Sequence, residues 1–268
     1  RASSSTVDFS AGESVFFTAS FSKRISWVLR ITGKESGAVK LIEGFENELN
    51  QTNSIWNGTT TELPLFRAED CTVELIIPEE DSLTLTTEIS VTGERVYEGS
   101  LVADFETDLG SRFFLGNFEF ELEGATGIRS DIPAGQGEKF FFFEGTDDVV
   151  ANFFTGLFRV FPPSSQNYFS LPTTVPENVY FNFLLFGDLT PNTIAVVQLF
   201  TDTNGNQQFD EGSDRSFQVT GDFPVDFDGW KHFSFTMEEI GMSEEEASEL
   251  IAIQVLLISN RNGQPSTP

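Results

Sequence analysis

The most constraining feature of the sequence is an apolar run near its end, residues 250–259, which read LIAIQVLLIS. β-Branched residues favour strands, and an apolar run without polar alternation predicts a strand that is buried on both faces. Just before the run, Ser243 and Glu246 stand three residues apart, which predicts a capping box at the start of a short acidic helix. Another strand is predicted at 231–237. The stretch therefore predicts a strand, a helix and then a central strand.

The rest of the chain indicates short strands at regular spacing. Phenylalanine is abundant, with 30 residues among 268, and runs of Phe, Val, Ile and Thr are separated by Gly, Asn and Asp. This pattern predicts an all-β protein. The spacing predicts a turn-rich segment at 125–137. It also predicts strands in the first hundred residues at 15–21, 25–32, 39–44, 71–78 and 82–91.

The second part of the chain resembles a known module. The sequence Asp228-Gly229-Trp230-Lys231, followed by a strand, a short helix and a core strand, is similar to the last third of a carbohydrate-binding-module-type jelly roll, a galactose-binding-like β-sandwich. Residues 101–106, LVADFE, look like the first strand of such a module. The resemblance implies that residues 99–268 form a jelly roll.

The first part of the chain resembles an immunoglobulin-like domain of flagellar-hook-cap-type and bacterial surface proteins. The resemblance rests on a strand containing Trp27, a second strand, and Trp56 in a W-x-G turn. We interpret both tryptophans as packing residues, with an aromatic carbohydrate platform as the alternative. Residues 94–100 are the candidate linker. The predicted fold class is thus all-β, with two β-sandwich domains: an immunoglobulin-like domain at 1–98 and a jelly roll at 99–268.

Composition excludes several functions. The formal net charge of −27 repels nucleic acid and anionic lipid, so we expect no nucleic-acid partner. A lone cysteine, Cys71, excludes an internal disulfide framework and is interpreted as a small buried residue. A lone histidine, His232, excludes multi-histidine metal sites. Because no nucleophile, phosphate-binding or metalloprotease motif is present, we predict that the protein is not an enzyme.

An acidic loop at 202–214 is the candidate metal site. Oxygen-bearing side chains recur at every second position around a glycine, and such oxygens are the ligands that calcium prefers. The run resembles the start of an EF-hand-type or dockerin-type loop but lacks that loop's final glutamate. The alternative is an acidic turn held by its own Asx hydrogen bonds. The predicted calcium ligands are Asp202, Asn204, Asn206, Gln208, Asp210 and Asp214.

A second candidate site lies on a sheet face. In the predicted strand 179–186, alternation turns Phe181, Phe183 and Leu185 to the core and Tyr180 and Asn182 away from it. Amides donate and accept hydrogen bonds and aromatic rings stack on sugars, so such a face suits a saccharide. Ordinary solvated or internally satisfied polar groups are the alternative. The predicted ligand-binding residues are Tyr180, Asn182, Gln198, His232 and Gln254, with Tyr168 at the rim.

The two resemblances together imply a function. They are similar to the domain arrangement of Bacteroidetes surface glycan-binding lipoproteins. This implies non-catalytic binding of a polysaccharide or oligosaccharide at the cell surface or outer membrane, beside a glycan transporter complex, or as a secreted protein. The polar start, RASSSTVDFS, is typical of a processed terminus that an upstream lipid anchor could precede.

Two alternative functions stay open at this point. One is a structural subunit of a surface filament or outer-membrane assembly, and the other is an accessory module of a glycoside hydrolase. A jelly roll of this type closes with one more strand, whereas residues 261–268 are loop-like. That strand either lies beyond this sequence or comes from a neighbouring chain.

Overall fold

The structure is a computed structural model that describes residues 1–79, 83–116, 123–146, 154–189, 194–220 and 223–258. It divides into two compact units. The first contains residues 1–98 and 130–139, and the second contains residues 99–129 and 140–268. Both units are built from strands, and the only α-helices in the described ranges are two short ones in the second unit. The predicted all-β fold class is confirmed.

The first unit contains one five-stranded sheet among its described residues. In spatial order the strands run β1, β5, β4, β2, β3, and only the β1–β5 pair is parallel. The strands are β1 (Thr6–Asp8), β2 (Ala19–Gly33), β3 (Val39–Leu49), β4 (Asp70–Ile77) and β5 (Leu83–Gly93). The immunoglobulin-like type of this unit stays a prediction.

One face of this sheet forms the core of the first unit. Alternate residues of β2 and β4 are buried, as the period of two in a strand requires. Trp27 and Trp56 lie inside the core at 1% and 0% exposure, which confirms their predicted packing role. Cys71 is also buried and free, and burial raises the pKa of its thiol to about 12. The thiol is therefore an apolar packing group rather than a reactive one.

The predicted strands 15–21 and 25–32 are not separate. A single strand, β2, begins at Ala19 and continues through both segments. Its pairing with β3 shifts register between Ser20 and Ile25. The predicted break between two strands is therefore an irregularity within one strand. Val15 makes only an isolated bridge with Trp56.

Among its described residues, the second unit contains a larger sheet and two antiparallel two-stranded sheets. The order in the larger sheet is β12, β11, β15, β9, β6, with β13 also paired to β11, and the smaller pairs are β10–β14 and β7–β8. The strands are β6 (Phe113–Gly116), β7 (Glu123–Arg129), β8 (Phe140–Thr146), β9 (Phe154–Val160), β10 (Tyr180–Asp188), β11 (Ile194–Thr201), β12 (Arg215–Gln218), β13 (Phe223–Pro224), β14 (Asp228–Thr236) and β15 (Leu250–Ile258).

The core of the second unit lies between the larger sheet and the β10–β14 pair. Leu199 and Ile253 from the larger sheet share one apolar cluster with Phe181, Phe183 and Phe235 from the pair. Strand β15 lies between β11 and β9, which confirms its predicted central position. The second unit is therefore a β-sandwich. The jelly-roll type predicted for this unit stays a prediction, and the loop predicted at 261–268 lies outside the described residues.

The predicted first strand at 101–106 is wrong. The segment has no strand structure. Asp104 Oδ1 accepts a hydrogen bond from the Glu106 backbone N–H (3.1 Å), and Phe105 has a φ of 61°. This local turn bends the backbone away from an extended path. The turn-rich prediction for 125–137 is also wrong in part, because β7 runs to Arg129.

Two helical turns connect β14 to β15. Helix α1 is Met237–Ile240 and helix α2 is Glu244–Ser248. The predicted capping box of Ser243 and Glu246 is confirmed, and Thr236 with Glu239 forms a second one. Within the described residues, neither of these helices nor any other is long and apolar enough to cross a membrane.

We expect Leu199→Ala to lower the free energy of unfolding by about 2–5 kcal/mol, because it opens a cavity at a fully buried position. Leu115→Ala is the matched control, since Leu115 is exposed and should cost about 0.5 kcal/mol or less. Urea unfolding measures both. Equal losses in the two variants would contradict the described core.

Candidate functional site

The β10–β14 pair presents an open outer face. The two strands are antiparallel, with Phe186 opposite Trp230 and Leu184 opposite His232. Because Phe181 and Phe183 face the core, alternation turns the intervening side chains outward. Tyr180 is 59% exposed, and Asn182 and His232 are exposed too. We call Tyr180, Asn182, Phe186, Trp230 and His232 the outer strip.

A polar pair lies at the middle of the outer strip. His232 Nε2 lies 3.0 Å from Asn182 Oδ1, and Asn182 Nδ2 donates to the Tyr180 carbonyl oxygen at 3.3 Å. An amide oxygen can only accept a hydrogen bond, so this network requires the proton on Nε2. In the neutral form of the ring, Nδ1 is then the nitrogen that can accept a hydrogen bond. The pair is thus fixed in orientation while staying open to solvent.

Aromatic rings occupy the end of the outer strip nearest Gly229. The Trp230 ring lies between Phe186 and Phe140, with a centroid distance of 5.3 Å to each. Both contacts are edge-to-face, with interplanar angles of 68° and 87°. Such contacts favour a defined ring orientation. Trp230 is half-buried, so it contributes both to packing and to the outer face.

Gln198 and Gln254 do not join the outer strip. They lie opposite each other on β11 and β15, and Gln254 Nε2 donates to Gln198 Oε1 at 2.8 Å. Their neighbours Leu199 and Ile253 face the core shared with β10, so the two amides face the other side of the larger sheet. The sandwich therefore separates them from His232 and Asn182. The structure therefore divides the predicted ligand residues between two faces: Tyr180, Asn182 and His232 lie on one, and Gln198 and Gln254 lie on the other.

Tyr168 belongs neither to the outer strip nor to the Gln198–Gln254 pair. Its hydroxyl donates to Asp202 Oδ2 at 2.9 Å, at the start of the acidic loop. Burial and this hydrogen bond raise the pKa of Tyr168 to about 12. The predicted rim residue is thus attached to the candidate metal loop, and its role as a ligand contact stays a prediction.

The acidic loop is held together by its own side chains. Asp202 accepts hydrogen bonds from the backbone N–H groups of Gly205 (2.8 Å) and Gln207 (2.7 Å). Asn204 and Asn206 each accept from the backbone N–H two residues on, that of Asn206 (2.9 Å) and that of Gln208 (2.8 Å). These are Asx turns, the alternative that the sequence left open.

The two later aspartates complete this network. Asp214 accepts from the Thr203 and Asp210 backbone N–H groups at 3.2 and 2.7 Å, and Asp210 Oδ2 accepts from the amide of Asn204 at 3.0 Å. No group of three His, Cys, Asp or Glu side chains in the described part of the chain could hold a metal ion. Calcium binding by the acidic loop stays a prediction.

Sequence reasoning missed three residues near these sites. Neither Trp230 nor Phe186 is among the ligand-binding residues that the sequence predicts. The alternation that predicts outward-facing side chains for Tyr180 and Asn182 predicts the same for Phe186. Arg159 is not among the predicted residues either, because its buried contact with Gln254 depends on the pairing of β9 with β15. No signal in a single sequence specifies that pairing.

No family model matches this chain, and no curated protein matches it. Among solved structures it is similar to one described as "Structural basis for the promiscuous specificity of the carbohydrate-binding modules from the beta-sandwich super family". The two share 13% sequence identity with a TM-score of 0.43, over 100% of this chain and 92% of the other. The similarity to surface lipoproteins stays a prediction.

We expect Asp202 to make the stability of the acidic loop depend on pH. Its burial, at 1% exposure, raises its pKa, but hydrogen bonds from Gln207, Tyr168 and Gly205 outweigh burial and leave the pKa below its ordinary value. A lowered pKa in the folded state stabilises the protein above the unfolded pKa of about 3.9, and this contribution is lost as pH falls through the folded pKa.

We therefore expect Asp202→Asn to lower the free energy of unfolding at pH 7 by about 1–3 kcal/mol, because buried N–H groups lose a charged acceptor. The difference from the wild type should shrink as pH falls below about 4. Urea titrations across pH measure this. Asp226→Asn, at an exposed position, is the control and should change neither value. A pH-independent difference for Asp202→Asn would contradict the assignment.

If the loop binds calcium, the melting temperature should rise with calcium concentration, because a ligand that binds only the folded state stabilises it by mass action. Differential scanning calorimetry with calcium and then with a chelator measures the rise. Asp202→Asn should remove it and Asp226→Asn should keep it. Identical melting temperatures in calcium and chelator would show that the loop is held by its Asx turns alone.

Proposed function

We propose that the protein binds a polysaccharide or oligosaccharide on the outer strip, without turnover. One observation carries this proposal: exposed aromatic rings flank a fixed histidine–asparagine pair on one open sheet face. Tyr180 lies at one end, and Phe186 with Trp230 lies at the other. Residues Asn182 and His232 lie between them.

The chemistry of the outer strip matches a sugar. Aromatic rings remove the apolar C–H face of a sugar ring from water, which is favourable in proportion to the area covered. Hydroxyl groups both donate and accept, and the strip offers a phenol hydroxyl together with a ring nitrogen that accepts. Such binding is an equilibrium. The proposal includes no catalytic residue.

The location and partners of the protein are also proposals. From the family resemblance, we propose a cell-surface, outer-membrane or secreted protein that presents glycan to an outer-membrane transporter complex. The net charge of −27 supports a partner that is not anionic, because like charges repel. A neutral glycan fits this requirement better than an acidic one.

One observation favours the alternative of a structural subunit. In the described residues, β1 pairs with β5 only at its end, over residues 90–93, so the earlier part of β5 has β4 as its single neighbour. There Leu83 and Leu85 are both more than half exposed. An open strand edge with apolar side chains can pair with another chain. Replacing the exposed Leu83 and Leu85 on this strand edge should leave glycan binding intact.

We expect the wild type to bind at least one soluble neutral polysaccharide in a calorimetric panel of a β-glucan, a xylan, a mannan and a galactan. Tyr180→Ala should weaken that binding about tenfold or more, or about 1.4 kcal/mol, because it removes an exposed aromatic anchor. Asn182→Ala should weaken it too, since His232 then loses its fixed orientation.

Tyr97→Ala is the control, because Tyr97 is an exposed aromatic residue of the first unit. It should leave the affinity unchanged. Equal losses in Tyr97→Ala and Tyr180→Ala would place binding elsewhere. The absence of binding to every polysaccharide would remove the glycan proposal and favour the structural subunit.

A further inference from the structure

A row of five residues crosses the larger sheet of the second unit. Adjacent members are paired in register: Phe114 with Arg159, Arg159 with Gln254, Gln254 with Gln198, and Gln198 with Gln218. Residues directly opposite each other in antiparallel strands share a face. With strands about 4.8 Å apart, the row spans about 19 Å across the face that points away from β10 and β14.

Arg159 is a buried cation at one side of this row. It is 5% exposed, and the Phe209 ring lies 4.1 Å from its guanidinium carbon. Its Nε donates to Gln254 Oε1 at 2.9 Å, and its Nη2 donates to the same oxygen. Glu211, which is largely exposed, lies 3.6 Å away. A guanidinium has hydrogen-bond donors only, so each of its hydrogen-bond partners here must be an acceptor.

This contact determines the orientation of two amides. Because Arg159 occupies Oε1 of Gln254, the Nε2 group of Gln254 points to the other side, where it donates to Gln198 Oε1 at 2.8 Å. Gln198 must therefore turn its own Nε2 away from Gln254. Reversing either amide would bring two donors or two acceptors together, and burying such an unsatisfied group costs about 1–3 kcal/mol.

The end of this chain of hydrogen bonds is accessible. Gln254 is 4% exposed, Gln198 is half-buried and Gln218 is exposed. Within the described residues, no group accepts a hydrogen bond from Gln198 Nε2. The donors of Gln198 therefore face outward next to a second amide, that of Gln218.

We propose that Arg159 is a positioning residue that orients Gln254 and Gln198, so that the Gln198–Gln218 end forms a second saccharide site supplying N–H donors to oxygen atoms of a neutral glycan. The choice of a saccharide rests on the proposed function, whereas the orientation of the amides does not. An anionic ligand is disfavoured because Glu211 already offsets the charge of Arg159 and the whole chain is acidic.

The orientation is tested by hydrogen exchange of the glutamine side-chain amides, followed by NMR. In the wild type, we expect the Gln254 amide to exchange slowly and the Gln198 amide to exchange freely with water. Gln254→Glu keeps the shape but can only accept, so Gln198 must turn and donate. Its amide should then exchange at least about tenfold more slowly, since it gains a hydrogen bond of about 1.4 kcal/mol.

Two further variants distinguish a role of Arg159 in orienting the amides from a role in stability alone. Arg159→Lys keeps a donor and should preserve the wild-type pattern, whereas Arg159→Met removes the donor and should abolish the difference between the two amides. A merely structural role for Arg159 would change stability without changing which amide is protected. A Gln198 amide that is protected in the wild type, or unchanged in Gln254→Glu, would overturn the proposed orientation.

The second site is tested in the double variant Tyr180→Ala/Asn182→Ala, which disables the outer strip. Titrating it with the same β-glucan, xylan, mannan and galactan should shift the side-chain amide signals of Gln198 and Gln218 for at least one glycan. Gln198→Glu, which removes the donors, should abolish the shift of Gln218. If no glycan shifts either amide in the double variant while the wild type still binds glycan, the second site is overturned and the outer strip stands alone.

Discussion

The second unit depends on the packing of two sheet faces against each other. Phe181, Phe183 and Phe235 on the small pair cover Leu199 and Ile253 on the larger sheet. Burying apolar surface of this kind supplies the main favourable free energy of folding. It also fixes which side of every strand meets water. Tyr180, Asn182 and His232 are on the open face because their neighbours are required inside.

This packing also explains why one unit carries two different polar surfaces. The outer side of the small pair keeps exposed aromatic rings beside a histidine and an asparagine. The far side of the larger sheet instead holds a buried arginine and two amides in a directed row. The first surface is complementary to sugar rings and hydroxyl groups. The second is ordered by the buried Arg159, and its Gln198–Gln218 end is accessible.

Much of this arrangement could be predicted from local sequence. The apolar run of β15, with Gln254 as its single polar residue, indicated a central strand. The spacing of Ser243 and Glu246 indicated a capped helix. The alternation of β10 correctly separated Tyr180 and Asn182 from the core residues. Each of these features depends on neighbours within a few positions. A single sequence contains that information.

Features that depend on pairing between distant strands could not be predicted in the same way. Gln198, Gln254 and His232 all appeared as lone polar residues in apolar strands, yet the sandwich places the glutamines and the histidine on opposite faces. The link from Arg159 to Gln254 joins residues 95 positions apart. The turn at Asp104 was missed because one hydrogen bond with a left-handed Phe105 outweighs the extended propensity of that segment.

The central claim is that the outer strip is where a glycan binds. Its most direct test is NMR mapping of the wild-type protein during titration with a polysaccharide that it binds. We expect the largest shifts at the Asn182 side-chain amide, the His232 ring and the Trp230 indole N–H. Shifts confined to the first unit, or to residues far from β10 and β14, would contradict the claim.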